Sequence, residues 1–242
     1  KINSGVKEEN KNIKDTLLNI QKILNSSKCS DNLLSGCLMM EYKYLQKFCP
    51  SGIYILPQLD DIKTWYGVLF IREGPYKGGI FKFEIKFPQN YPIKSPEVFF
   101  TSKTLHPYIQ ESTGKLDLTK KFVNWESGKN YSIQIIYFLQ EIFYEDNCFL
   151  DENSYNPYIA NLAKENYDEF VRRVRAQIET NIQNRFENKE NTSLVFSKFN
   201  EDHQLVKNKI LNQDVEIDTV DRIEDFKNWF SNNFSEQILK KH

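Results

Sequence analysis

Phe81, Phe83, Ile85 and Phe87 alternate with Lys82, Glu84 and Lys86, a strict period of two that predicts a β-strand with one apolar face. Burying three phenylalanines and an isoleucine, at roughly 1.5–3 kcal/mol each, requires a layer over that face, and helices are expected there. Ile53-Tyr54-Ile55-Leu56 ending at Pro57, the β-branched and aromatic run Trp65 to Arg72 stopping at Gly74-Pro75, and Glu97 to Thr101 supply three more strand signals. The tight connections Tyr76-Lys77-Gly78-Gly79 and Pro88-Gln89-Asn90-Tyr91 fit an antiparallel meander.

Helical spacing brackets these strands. Ile13, Leu17, Ile20 and Leu24 predict a short amphipathic helix in a polar N-terminal stretch, and Ser26, Ser27 and Ser30 then mark a break. Leu34, Leu38, Tyr42, Leu45 and Phe48 predict a second helix ended by Pro50 and Gly52. After a loop-rich stretch from Ser102 to Asn130, Ile135, Ile136, Leu139, Ile142 and Phe143 form one stripe. Asn156-Pro157 is a cap and first-turn pair opening a helix through Ile159, Leu162, Tyr167, Phe170, Val171 and Val174. The tail reads as an extended piece from Ser193 to Phe199 and a short helix capped by Asn200. A last helix from Thr219 carries Ile223, Phe226, Phe230, Phe234 and Ile238. The expected class is α+β, with domains at 1–32 (an N-terminal extension), 33–182 (the sheet and its helices) and 183–242 (a C-terminal extension).

Composition narrows the function classes. Lys+Arg 32 against Asp+Glu 33 leaves a net charge of -1, so no bulk field attracts nucleic acid or anionic lipid. Basic residues interleaved with the 13 tyrosines and 18 phenylalanines are sparse, which argues against a base-stacking surface. No run of about 18 apolar residues marks a membrane span. Cys29, Cys37, Cys49 and Cys148 have no CxxC pair and no histidine at ligand spacing, so they read as reduced thiols, with no metal and no cofactor expected. A cytoplasmic setting is expected, with organellar import left open because the sequence starts at Lys1 rather than a methionine. Arg172, Arg173 and Arg175 read as a solvated helix face, with an acidic partner surface as the lesser reading.

Five ordered motifs go further. Gly74-Pro75-Tyr76-Lys77-Gly78-Gly79-Ile80-Phe81, Phe87-Pro88-Gln89-Asn90-Tyr91-Pro92, Ser95-Pro96, His106-Pro107 and Trp125 resemble, in order and spacing, the signature of ubiquitin-conjugating enzymes. The resemblance implies the ubiquitin-conjugating fold, a four-stranded meander with helices packed on it. It also implies a catalytic cysteine in the run Gly114-Lys115-Leu116-Asp117-Leu118, where this chain has Asp117. The histidine-proline-asparagine motif reads His106-Pro107-Tyr108, and one extra residue separates His106 from Gly114.

Ubiquitin passes between enzymes by thioester exchange, which needs a thiolate. A carboxylate with a reference pKa of about 3.9 is a weak nucleophile, and its acyl product would be a high-energy anhydride. As a general acid or base Asp117 would need a partner, and His106 across the loop is the single candidate. His106, Pro107, Tyr108 and Asp117 are therefore expected to be a vestigial site, with the imidazole anchoring the loop and Glu111, Ser112 and Thr113 a solvated turn. Cys148 is the nearest sulfur in sequence and reads as packing.

The chain is thus identified as a ubiquitin-conjugating enzyme variant, most similar to the fused-toes (Akt-interacting) group over roughly residues 35–211. Trp65 to Arg72, Lys121-Phe122-Val123-Asn124-Trp125 and Ser193 to Asn200 carry that likeness. It implies a non-catalytic adaptor, the small subunit of a complex with a Hook-type coiled coil and an FHIP-type scaffold that links dynein to vesicle cargo along microtubules, or an accessory subunit of another large assembly. The alternative is a ubiquitin-pathway cofactor that binds ubiquitin or pairs with an active enzyme. Contact surfaces are expected on Tyr131 to Tyr144, the helix from Asn156 and the tail from Ser193. The terminal apolar stripes either pack back on the domain or dock on a partner.

Overall fold

A computed structural model of the chain describes residues 31–144 and 153–211. The N-terminal stripe from Ile13 to Leu24, the helix expected from Thr219, Cys29 and Cys148 lie outside the described residues. Helix α1 (Asp31–Phe48) leads into strands β1 (Ile53–Pro57), β2 (Thr64–Phe70), β3 (Ile80–Lys86) and β4 (Glu97–Phe100). The strands pair antiparallel in the order β1-β2-β3-β4, the expected meander. Helices α2 (Ser132–Tyr144), α3 (Pro157–Glu165) and α4 (Tyr167–Gln183) come next. Two compact units divide after Phe196. In the second, α5 (Glu201–Leu211) opens on the predicted cap, with Asn200 Oδ1 accepting the His203 N–H at 2.9 Å.

Register sets which side chains share a face. Gly67 pairs with Phe83 and Leu69 with Phe81, while Phe83 pairs with Phe100 and Ile85 with Val98. Directly opposed residues point the same way, so the apolar alternation of β3 lies on the inner face with Trp65, Leu69, Val98 and Phe100, all buried. The Phe83 ring crosses the surface of Gly67, where a Cβ would collide with it. Helix α2 covers this face. Phe143 packs on Phe81 and Tyr76, each with ring centroids 5.0 Å away, and Ile135, Ile136, Leu139 and Ile142 are buried beside it.

A buried carboxylate joins the helices to the turn after β3. Glu41 of α1 accepts the Tyr91 hydroxyl at 2.6 Å and the Ser132 N–H at 2.8 Å. Burial pushes its carboxyl above the usual range, against the hydrogen bonds of Ser132 and Tyr91. The Ser132 amide is one of the donors a helix start leaves without an intrahelical partner, and Glu41 satisfies it.

Two features depart from the sequence pattern. The helix expected to run from Pro157 to Val174 is two helices, because Asn166 is extended (φ -147, ψ 78). Its amide closes α3 on Leu162 O, and its side chain accepts the Glu169 N–H at 3.1 Å to start α4. The asparagine and Glu169 stand at capping-box spacing, a local signal that outweighs the continuous apolar stripe. The second departure is on the outer face of the sheet, where Lys82, Glu84 and Lys86 alternate: Glu84 is only 4% exposed.

A strap, residues 185–196, covers that outer face. Leu194 is buried against Tyr66 and Val68, with Phe196, Phe70 and Ile80 packed on the same cluster. Lys82 Nζ donates to Arg185 O at 2.7 Å, Glu187 O at 2.8 Å and Asn188 Oδ1 at 3.3 Å. Lys189 and Lys86 both reach the Glu84 carboxylate, at 2.6 and 2.9 Å. Burial alone would raise the Glu84 carboxyl, yet the two lysines hold it below its ordinary value. Leu194 and Phe196, expected as contact surface for a partner, are thus used inside the molecule.

Replacing Leu194 with alanine should cost about 2–3 kcal/mol of unfolding free energy in urea titration. Val195→Ala, at a position 62% exposed, should stay within about 0.5 kcal/mol of the parent.

Candidate functional site in the loop after the fourth strand

Four residues singled out by the sequence, His106, Pro107, Tyr108 and Asp117, lie in the segment after β4. The structure sets Pro107 and Tyr108 about the buried His106 imidazole and links Asp117 to them through the Tyr108 carbonyl. The chain leaves the sheet and is fixed at Leu105, whose carbonyl accepts the Tyr76 hydroxyl at 2.7 Å and whose N–H donates to Gln177 Oε1 at 2.7 Å. His106 is fully buried. Its Nδ1 accepts the Tyr108 N–H at 3.0 Å, so the ring proton sits on Nε2 and donates to Ile142 O at 2.8 Å. Burial pushes the imidazole down to about 4 against the pull of that carbonyl, and it stays neutral at pH 7. The bond to Ile142 joins the loop to α2. Pro107 O accepts the Asn156 N–H at 2.9 Å and joins it to the start of α3.

Residues 109–116 turn back on themselves as a small hairpin. Ile109 bridges Leu116, and Gln110 N–H donates to Lys115 O at 2.9 Å. Glu111, Ser112 and Thr113 at its tip are exposed, as the sequence predicts. The returning arm lies along the edge of β4, with Phe100 N–H donating to Gly114 O at 2.7 Å and Leu116 N–H to Val98 O at 2.9 Å. Gly114 has φ 72, and a Cβ there would strike the Phe100 carbonyl. Glycine is therefore required at this point, and it fixes the register of the returning arm.

Asp117 comes three residues later. Its N–H donates to Tyr108 O at 2.9 Å and the residue is 4% exposed overall. Its Oδ1 accepts the Thr119 N–H at 3.0 Å and the Thr119 hydroxyl at 2.5 Å, capping a 3-10 turn at Leu118–Lys120. Lys120 Nζ lies 5.7 Å from the Tyr108 ring centroid and donates to Asn153 O at 2.8 Å. The Tyr108 ring stacks on Phe138 at 6.4 Å. Trp125 Nε1 donates to Pro92 O at 2.8 Å between the rings of Tyr91 and Phe122.

These contacts limit the chemistry. Both nitrogens of His106 are committed to backbone groups, so the ring does not serve Asp117 as a base. Cys37 is buried in α1 with its thiol 3.8 Å from Glu41 Oε1. Cys49 donates to Ile53 O at 3.5 Å, and burial pushes its thiol up to about 11, far from a thiolate at pH 7. Neither belongs to the loop. Among the described residues no group of His, Cys, Asp or Glu is placed to hold a metal ion. A cavity of about 950 Å³ lies between the Gln110–Gly114 turn and the outer sheet face, lined by Lys82, Phe99, Asn181 and Lys189 among others; His106 and Asp117 take no part in it. Sequence reasoning missed Thr119 and Lys120. The spacing Asp117-Leu118-Thr119 is the signal of a side-chain-capped turn that would have found the first; nothing local points to the Lys120–Asn153 contact.

The neutral imidazole has a pH signature. Its proton affinity is depressed by folding, so the stability it brings is present above the ordinary histidine value of about 6.5 and lost as pH falls towards 4. Lowering pH from 7 to 5 should cost the parent about 2 kcal/mol more than His106→Gln in urea unfolding.

Comparisons with known proteins agree with this geometry. The family profile described as ubiquitin-conjugating enzyme matches residues 37–178. The chain is 36% identical over 141 residues to the protein crossbronx homolog of Culex quinquefasciatus, covering 57% of this chain and 61% of that protein. It is 33% identical over 142 residues to the protein AKTIP homolog of Nematostella vectensis, covering 58% and 47% respectively. To the AKT-interacting protein of Danio rerio it is 35% identical over 115 residues, covering 47% and 39%. The chain spans about half the length of the curated relatives it matches. A profile match over more than half of the sequence, on a four-stranded meander flanked by helices, places the chain in the ubiquitin-conjugating enzyme family, with crossbronx and AKT-interacting proteins among its relatives there.

Proposed function

We propose that this chain is a non-catalytic member of the family and acts as a protein-binding adaptor or structural subunit. The observation that carries the reading is Asp117. Counted from Gly114, whose backbone conformation tolerates no side chain, Asp117 takes the place of the cysteine in the family pattern. The carboxylate there is buried and spent on Thr119, and Tyr108 replaces the motif's asparagine with a ring packed on Phe138. Thioester exchange has no nucleophile in this loop.

What remains is a rigid domain with exposed aromatic side chains on its helices. Tyr137 and Tyr144 on α2, and Tyr158 and Tyr167 on α3 and α4, are between 39% and 55% exposed. Large amphipathic rings that cost little conformational entropy to immobilise suit a protein contact. On the Arg172 and Arg173 face, by contrast, both guanidinium groups are bound to the single Glu169 carboxylate, which offsets part of their charge. The likeness to AKT-interacting proteins supports membership of a complex with a Hook-type coiled coil and an FHIP-type scaffold on vesicles, with residues 33–182 as the folded core and 1–32 and 183–242 as extensions. No helix among the described residues is long and apolar enough to cross a membrane.

Incubation with activating enzyme, ATP and ubiquitin should leave no reducible adduct on a non-reducing gel; an adduct overturns the reading. Affinity purification should recover a coiled-coil partner in stoichiometric amount. Failure to do so, together with stimulated chain formation by an active conjugating enzyme, would replace the adaptor with the ubiquitin-pathway cofactor.

A further inference from the structure

We infer that the loop at Asp117 is held shut by its own side chains, so that the chain would not accept ubiquitin even with a sulfur restored at that position. The inference rests on the assignment of Asp117 to the cysteine's place and goes a step further: the loss is one of access as well as of a nucleophile.

Acyl transfer requires the attacking atom to come within about 3–3.5 Å of a carbonyl carbon carried on another protein. Position 117 faces inward. Its side chain folds back onto Thr119, and its amide is fixed to Tyr108 O. Tyr108, joined to Asp117 through its carbonyl, stacks its ring on Phe138. Lys120, at the end of the turn that Asp117 caps, lies over the same ring and reaches across to Asn153 O. Asn156 fastens the far side through its N–H to Pro107 O, and Ser154 and Asn156 are themselves 8% and 7% exposed. The segment Asn153 to Asn156 is thus seated on the loop by two hydrogen bonds, one to Lys120 and one to Pro107.

In this arrangement Asp117 is a positioning residue that shapes the 3-10 turn and aims Lys120. Lys120 is the clasp, and Tyr108 fills the space beneath it. The His106 anchor keeps the floor of the site in place, because moving it would break the bond to Ile142 O and strand the Nε2–H of a fully buried ring.

The test introduces a thiol by Asp117→Cys and follows it by site-resolved alkylation with iodoacetamide and by charging with activating enzyme, ATP and ubiquitin. The folded variant should alkylate at least ~10-fold more slowly than in urea and form no ubiquitin adduct. Thr119→Cys, at an exposed neighbouring position, should alkylate close to the unfolded rate. Adding Tyr108→Asn and Lys120→Ala to Asp117→Cys should raise its alkylation ~10-fold or more. Charging of Asp117→Cys alone, alkylation at the unfolded rate, or protection unchanged by removing the clasp would each overturn the closure. Should Asp117→Cys not fold, hydrogen exchange on the parent decides: the Asp117 and Thr119 amides must be protected and must lose protection in Lys120→Ala. An adduct on the parent itself would instead sink the non-catalytic reading, so the two failures are separable.

Discussion

The site depends on one imidazole with both nitrogens engaged. His106 is buried among Tyr76, Tyr108 and Phe143, and it is the point where the loop after β4 is tied to α2. A buried polar ring is costly unless each of its hydrogen-bonding atoms is matched. Here the match is complete: an amide N–H for Nδ1 and a helix carbonyl for Nε2–H. That requirement fixes the tautomer, the ring orientation and the path of the next residues. Pro107 then directs the chain toward α3, and the hairpin at 109–116 is pressed onto the sheet edge by Gly114. The placement of Asp117 is set by these constraints rather than by any contact that the carboxylate makes with His106.

The two faces of the sheet are closed by different physics. Aromatic packing closes the inner one, where Phe81, Phe83, Phe100 and Phe143 meet beneath α2. The outer one is closed by the strap, through a small apolar cluster and two charged nodes. At Glu84 two ammonium groups share one carboxylate that is almost out of contact with water; at Lys82 an ammonium is held by main-chain carbonyls and an amide oxygen. Such arrangements are specific in geometry even where their net energy is modest. They place the strap so that Leu194 meets Tyr66 and Val68, which supply the hydrophobic part.

The course of this loop and thioester chemistry rest on different atoms. The loop's course is set by main-chain hydrogen bonds and by a glycine that must stay a glycine, whereas thioester exchange rests on a single side-chain sulfur. The Asp117 carboxylate caps the 3-10 turn, at whose end Lys120 lies over the Tyr108 ring. Rings on α2, α3 and α4 stand exposed on the same fold.

By itself the sequence determined the α+β class, the meander order, the inner face of β3, the α2 stripe and the loop ends at His106 and Gly114. Each is a local pattern: period two, helical spacing, or glycine and proline at turns. It also places Asp117 three residues after Gly114, since residue identity needs no coordinates. The tertiary structure alone decided the rest. The polar alternation of Lys82, Glu84 and Lys86 looks solvent-facing until residues more than one hundred positions later arrive to bond it. Glu41 looks like an ordinary helix-surface acid until Tyr91 and the first amide of α2 close on it. The break at Asn166 was written locally but masked by a continuous apolar stripe, and the Lys120 clasp joins residues 33 apart with no shared pattern. Burial and pairing of charges depend on what packs over a face, and no window along the chain contains that partner.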